Sequence, residues 1–409
     1  MTKSLLPLCL AVVLSLTGCA NLRLRNPPPP QAEAQVQMPG MPGVRAWGDE
    51  FSPVFQQDIV ESIRQEKRLG LFQEGDAVSI LAISGGGGDG AFGAGLLCGW
   101  TASGTRPSFK LVTGISTGAL TAPFAFLGPA YDDRLRKAYT TISSEDIFKL
   151  KSLFGMLVGL FRSDAIALTD PLANLTTEFV DEQMLRDVAA EHAKGRRLYI
   201  GTTALDAQRP VIWNMGAIAA SSHPQALELF RRVMIASAAI PVVFPPVYFK
   251  VQAGEKTFDE MHVDGGVLNQ VFLYGSALDP LQGMKELGFE RMKRNFSVYV
   301  IRNTQIRPGW QRVRPLVRSI GTRSVSSLIK AQGIGDLFRI FTTSQRDGFD
   351  FNMASIPEEL DTADRAEEFD NRVMNILFDA GYKQARQGYR WRTTPPGFYL
   401  ADQEGASAQ

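Results

Sequence analysis

The pentapeptide Gly114-Ile115-Ser116-Thr117-Gly118 lies between an apolar run and a helix-forming run. A serine so placed sits on a sharp strand-to-helix turn, which glycines at both ends permit, and its hydroxyl is lifted out of the sheet toward a substrate. A second cluster, Gly85-Gly86-Gly87-Gly88, also follows an apolar, strand-like run. Free N–H groups in such a loop at a helix N-terminus suit a developing oxyanion. A serine nucleophile with an oxyanion loop points to acyl transfer. The loop has a competing reading, because Gly88-Asp89-Gly90-Ala91-Phe92-Gly93 fits the dinucleotide pattern G-x-G-x-x-G. That pattern expects an acid about 20 residues on to hold a ribose. Residues 95–130 contain no Asp or Glu, which argues against it. The chain has no G-K-[ST], so no P-loop is present.

A serine hydroxyl needs a base in contact with it. The chain has 3 histidines, His192, His223 and His262. His192 falls on a charged helical stretch and His223 in a polar loop, so both read as solvated surface. His262, with an earlier Asp, fits the order Ser, acid, His. Asp264, in Val263-Asp264-Gly265-Gly266, is the competing base. An Asp after a strand and before two glycines lets one loop approach another closely, although Asp-Gly is also a common turn signal. On residue types alone both His262 and Asp264 stay open. No H-E-x-x-H, Cys/His cluster or EF-hand loop occurs, so neither a metal nor a cofactor is implied.

These residues need a frame. Apolar, β-branched runs at 77–84, 110–113, 198–203 and 296–301 read as buried strands. Helical patterns cover 91–101, 119–127, 181–194 and 230–239, with Pro123 a mild objection to the second. Strands alternating with helices predict an α/β fold with a mostly parallel central sheet and helices on both faces. Active sites in such sheets lie at the carboxyl ends of strands, where both glycine motifs fall.

The combination resembles the patatin-like phospholipase family. The resemblance rests on the oxyanion loop Gly85 to Gly90, the nucleophile motif Gly114 to Gly118 and the acid block Asp264 to Gly266. Two further blocks match, Thr203-Ala204-Leu205-Asp206 with Pro210-Val211-Ile212-Trp213, and Ala236-Ser237-Ala238-Ala239-Ile240-Pro241 with Phe244-Pro245-Pro246. The resemblance implies a Ser116–Asp264 dyad without histidine, an oxyanion hole drawn from Gly85, Gly86, Gly87 and Gly88, and a lipid or phospholipid ester as substrate. It departs from the pattern at Asp89, where the family has a basic residue, and at Ser84, where the family has an acid. Asp89 speaks against a preference for anionic phosphate headgroups. It also leaves room for a catalytically silent, membrane-anchored lipoprotein that binds lipid or a partner.

The N-terminus reads as a lipoprotein leader. Residues 1–18 hold a short basic and then apolar stretch ending in Leu16-Thr17-Gly18-Cys19, which looks like a bacterial lipobox with Cys19 as the lipidated residue. With Ala20 rather than Asp after it, the expected location is the cell envelope, anchored in the outer membrane. Residues 19–45, with Pro27 to Pro30 in a row, are expected to form an extended tether. Residues 46–76 read as a helical lead-in, 77–305 as the catalytic domain, and 306–409 as a helical extension packed on it. The formal net charge of +1 implies no nucleic-acid partner. The apolar stretch Lys149 to Arg162 reads either as a buried helix or as an interfacial helix or lid. The basic run Arg302, Arg307, Arg312, Arg314, Arg318 and Arg323 reads first as a solvated face. Helical spacing recurs over Asp364 to Gly388.

Overall fold

The computed structural model describes residues 25–72, 75–141, 149–150, 167–168, 170–288, 295–360 and 369–398. The leader, Cys19 and nearly all of the Lys149 to Arg162 stretch therefore lie outside the described residues. A single sheet contains β1 (Arg45–Trp47), β2 (Ala77–Ile83), β3 (Phe109–Gly114), β4 (Arg197–Ala204), β5 (Arg209–Asn214), β6 (Val247–Ala253), β7 (Lys256–Asp264), β8 (Asn295–Arg302) and β9 (Asp350–Ser355). Its order is β1-β5-β4-β3-β2-β8-β9, and the run from β4 to β9 is parallel throughout. These strands read as continuous apolar runs because both of their faces are covered. β4 is buried along its whole length, and β2 from its second residue onward.

The helices are α1 (Pro53–Arg68), α2 (Gly90–Ala102), α3 (Thr117–Leu127), α4 (Asp132–Thr140), α5 (Asp170–Phe179), α6 (Glu182–Ala193), α7 (Met215–Ala220), α8 (Ala226–Ser237), α9 (Pro280–Glu286), α10 (Val317–Asp347) and α11 (Asn371–Arg386). Alternation along the strands divides the core. Ile80 and Ala82 of β2 pack with Val298 and Val300 of β8 and with Leu337 and Phe341 of α10. Leu81 and Ile83 face the other way, toward Phe92 of α2 and Leu377 of α11. The predicted α/β fold with helices on both faces is the observed one. Pro123 is buried within α3 and does not end it.

Two expectations change. Residues 26–43 are not a free extended tether. Val36, Met38 and Met41 are buried, Gln37 makes a two-way backbone pairing with Gln252, and Arg25 forms an ion pair with Asp206. Apolar residues interspersed among the prolines give this segment a core to pack on. The C-terminal extension is helical in α10 and α11, but it also supplies β9, which pairs in parallel with β8 along its full length.

Candidate active site

The nucleophile motif is built by three close contacts. β3 ends at Gly114, and α3 starts at Thr117, so only Ile115 and Ser116 make the turn between them, and Ser116 takes the unusual backbone conformation. It does so at φ 54° and ψ −125°, a left-handed conformation rare for a residue with a side chain. A Cβ on Gly114 would collide with the Gly118 carbonyl, and one on Gly118 with the Ile83 carbonyl of β2. Only glycines allow α3 to approach the sheet this closely. The strained turn is held from outside the motif, because the Ser116 N–H donates to the Ser237 hydroxyl at 3.0 Å and that hydroxyl donates to the Gly201 carbonyl at 2.7 Å.

Asp264 reaches the serine through strand register. β3 pairs with β4 up to Gly114 opposite Ile200. Beyond that point β7 takes over the same neighbour, antiparallel, with Asp264 opposite Thr202. The end of β7 therefore meets the end of β3, which brings the Asp264 carboxylate beside the Ser116 side chain. The Gly266 N–H also donates to Asp264 Oδ1 at 2.6 Å. Burial pushes the Asp264 carboxyl up from 3.8 to about 6, against the lowering effect of the Ser116 side chain and the Gly266 N–H. A carboxylate with that proton affinity is a usable general base near neutral pH.

The glycine loop lies beside this pair. A Cβ on Gly85 would stand 3.1 Å from Ser116 Cβ. The Gly85 N–H is already spent on the Gln270 carbonyl at 3.0 Å, so Gly85 is not an available oxyanion donor. Gly86 and Gly87 have φ values of 157° and 55°, and among the described residues no group accepts from their N–H groups. Both are partly exposed, whereas Gly88 is buried. The loop is tied down by Ser84 and Asn303. The Asn303 N–H donates to Ser84 Oγ, its side-chain amide donates to the Ser84 carbonyl, and its Oδ1 accepts from the Gly93 N–H. Ser84 thus serves as a strap between β2 and the end of β8. Asp89 is half-buried just before α2, where the helix dipole favours an acid.

The histidines lie elsewhere. His262 is fully buried with both ring nitrogens engaged, Nε2 with Glu260 and Nδ1 with Thr202. Trp213 Nε1 donates to the Thr202 hydroxyl, so that hydroxyl donates to His262 Nδ1 and the imidazole donates to Glu260 through Nε2. Burial keeps His262 below its ordinary value although Glu260 works the other way. It is a neutral structural histidine, and the Ser-His-Asp arrangement is not formed. His192 is not solvated surface: burial lowers it to about 4, and its Nδ1 is enclosed against Gly216 with no hydrogen-bond partner among the described residues. His223 is half-buried, packs against Gly40, and accepts from the Gln225 N–H. Sequence reasoning did not single out Ser237, Gln270 and Asn303 as positioning residues. Ser237 lay inside a recognised block and Asn303 directly after a strand, at the carboxyl end where sites form. Nothing in the sequence marked Gln270.

The sequence model described as patatin-like phospholipase matches residues 81–275. That match begins in β2 and ends after the acid loop, leaving β8, β9 and α10 outside it. No curated protein matches the chain. Among solved structures, VipD from Legionella pneumophila is 14% identical, covering 77% of this chain and 66% of its own, with a TM-score of 0.36. Full-length SpcU in complex with full-length ExoU from Pseudomonas aeruginosa is 13% identical, covering 77% of this chain and 52% of that one, with a TM-score of 0.30. The chain thus spans about two thirds and about half the length of these two structures.

Proposed function

We propose, from the premise that residues 81–275 are a patatin-like phospholipase domain, that the chain is a serine lipid acyl hydrolase working through Ser116 and Asp264. The observation that carries this reading is the strand register that sets Ser116 beside Asp264, a buried carboxylate whose proton affinity is raised. Asp264 takes the Ser116 proton as the hydroxyl oxygen attacks the ester carbonyl. The N–H groups of Gly86 and Gly87 receive the oxyanion, and Asp264 returns the proton to the departing alcohol. Water, deprotonated by Asp264, then attacks the acyl-enzyme, and the fatty acid leaves as the Ser116 oxygen recovers its proton. The loop amides supply electrostatic stabilisation, and losing one such donor costs about 3 kcal/mol of transition-state stabilisation.

The test uses a soluble short-chain ester and a fluorophosphonate label. Ser116→Ala removes both hydrolysis and labelling. Asp264→Asn lowers kcat/KM by about 10³-fold or more, the scale expected when a base is lost. His192→Gln and His223→Gln retain activity, and His262→Gln retains it to the extent that it folds. A folded His262→Gln protein without activity, or a wild-type serine that does not label, overturns the reading.

The same reading extends to location. We infer that Cys19 is lipidated and that the chain is held in the bacterial envelope at the outer membrane, on the strength of Leu16-Thr17-Gly18-Cys19 followed by Ala20. Radiolabelled palmitate incorporated by the wild type and lost in Cys19→Ala is the expected result. Equal incorporation in the variant rejects the assignment.

A further inference from the structure

A long apolar surface lies outside the catalytic centre, on the chain that follows β8. Trp310 is 90% exposed, Val317 91% and Leu328 69%. Leu316, Ile320, Val325 and Ile329 are exposed as well. On α10 these residues recur at three-, four- and five-residue steps, with Gly321 and Ser324 filling the same side, so they form one stripe. Arg323 and Lys330 flank the stripe, just beyond its Ile320 edge. They donate to the carbonyls of Gly309 and Arg307, binding the Trp310 loop along the helix as one unit.

The first half of α10 has little reason to be helical in water. Its first buried residue is Gly333, so the helix extends about 24 Å before it touches the core. Residues 317–327 are rich in Val, Ser, Thr and Gly, which have poor helix propensity. Helices of this length are marginal in isolation and normally take their stability from packing an apolar face. The stripe is such a face, and no described residue of the chain covers it.

Charge selects what would cover it. From 303 to 335 the chain has no Asp or Glu, while Arg307, Arg312, Arg314, Arg318, Arg323 and Lys330 all fall there. Arg312, Arg314 and Arg318 are exposed. A second copy packed on the same face would set these arginines against their own counterparts. An anionic bilayer instead offers acyl chains to the stripe and phosphates to the arginines, whose aliphatic stems can lie along the apolar surface. The stripe also ends beside the catalytic centre. Gln332, one turn past Leu328, donates to the Val267 carbonyl at 3.3 Å and accepts from Gln270 at 3.4 Å. Val267 follows the Asp264-Gly265-Gly266 turn and is itself exposed.

We propose that residues 307–329 are a docking surface for an anionic lipid bilayer, which seats the chain with the Ser116 centre beside the membrane. This inference does not rest on catalysis by Ser116, and its test needs no turnover. The full chain carrying Cys19→Ser and Ser116→Ala is mixed with phosphatidylcholine vesicles, with or without phosphatidylglycerol, made from lipids with brominated acyl chains. Trp47, Trp100 and Trp213 are buried and Trp391 is half-buried against Trp100 and Tyr299, so quenching that is lost in Trp310→Phe reports on the exposed Trp310. Quenching is expected with phosphatidylglycerol present, and its loss is expected in Trp310→Phe. Partitioning is expected to fall about fivefold for each of Arg312→Gln, Arg314→Gln and Arg318→Gln. Ile320→Ser with Leu328→Ser and Ile329→Ser is expected to lower it tenfold or more. The arginine set has no core contacts, so it tests the surface even where the apolar set disturbs folding. Absence of binding to anionic vesicles, unquenched Trp310, or variants that bind like the parent overturn the proposal. So does light scattering that shows a dimer in the parent and a monomer in the apolar variant. On a wild-type Ser116 background the arginine variants keep their hydrolysis of a soluble ester. Loss of that hydrolysis in the unsubstituted chain counts against the catalytic reading alone.

Discussion

Asp264 is placed against its own stability. Its carboxyl rises from 3.8 to about 6 because burial disfavours the charge. Between those values the folded chain holds a proton that the unfolded chain releases, so Asp264 stabilises the fold below about pH 4. That contribution is lost as pH rises through about 6, and the ionised group then costs up to about 3 kcal/mol. Two measurements follow from this single shift. With Asp264 as the proposed base, the wild-type kcat/KM is expected to rise through about pH 6 and level off above it, since that base must be ionised. Asp264→Asn, inactive, unfolds at a higher denaturant concentration than the wild type at pH 8 and at nearly the same concentration at pH 4. An Asn variant less stable than wild type at pH 8 contradicts the burial-driven shift. At this scale the sequence was informative about Ser116, whose flanking glycines announce the turn, and ambiguous about its partner. His262 and Asp264 lie two apart on β7 and so share a face, and side-chain periodicity cannot separate them. Register does: Asp264 stands opposite Thr202, beside the end of β3, and His262 opposite Ala204, where Glu260 and Thr202 occupy its ring.

Elements were legible in proportion to their burial. β2, β3, β4 and β8 were visible as apolar runs because helices cover both of their faces. β9 was missed: Asp350 to Ser355 includes Asp, Asn and Ser, and its partner β8 ends 48 residues earlier at Arg302 in the chain. The prolines of the 26–43 segment point to an extended chain, because composition does not record that Val36, Met38 and Met41 find a surface to pack on. Helix pairing was equally hidden. α2 and α11 approach at backbone distance, since a Cβ on Gly95 would strike the Phe378 backbone and one on Gly99 the Tyr382 backbone. Gly95→Val should therefore force the two helices apart and destabilise the protein by about 1–3 kcal/mol or more in chemical denaturation, the range of overpacking in a tight core. A change below about 0.5 kcal/mol would mean that α11 is free to move and is not part of the catalytic body. Because β9 and α11 come from the C-terminal extension, that extension belongs to the same folding unit as the serine.

At the scale of the whole molecule, the catalytic end, the basic apolar stripe and the N-terminal wrap are brought together by topology rather than by neighbourhood in the chain. A buried network shows the same principle. Arg45 of β1 pairs with Glu260 of β7, Glu260 with His262, His262 with Thr202 of β4, and Thr202 with Trp213 of β5. Burial opposes ionisation of Glu260, but Arg45 and His262 outweigh it and hold the carboxyl below its ordinary value. No motif announces those residues, since each takes its meaning from three others distant along the chain. The sequence by itself determined the strand-turn-helix around Ser116, the glycine loop and the class of fold, because these depend on local backbone freedom and on apolar periodicity. Only the tertiary structure decided that Asp264 and not His262 meets the serine, that Gly85 is spent while Gly86 and Gly87 remain, and that half of α10 stands outside the core. Those outcomes depend on which strand edge β7 joins and on what each surface is pressed against, and neither is written in any local run of residues.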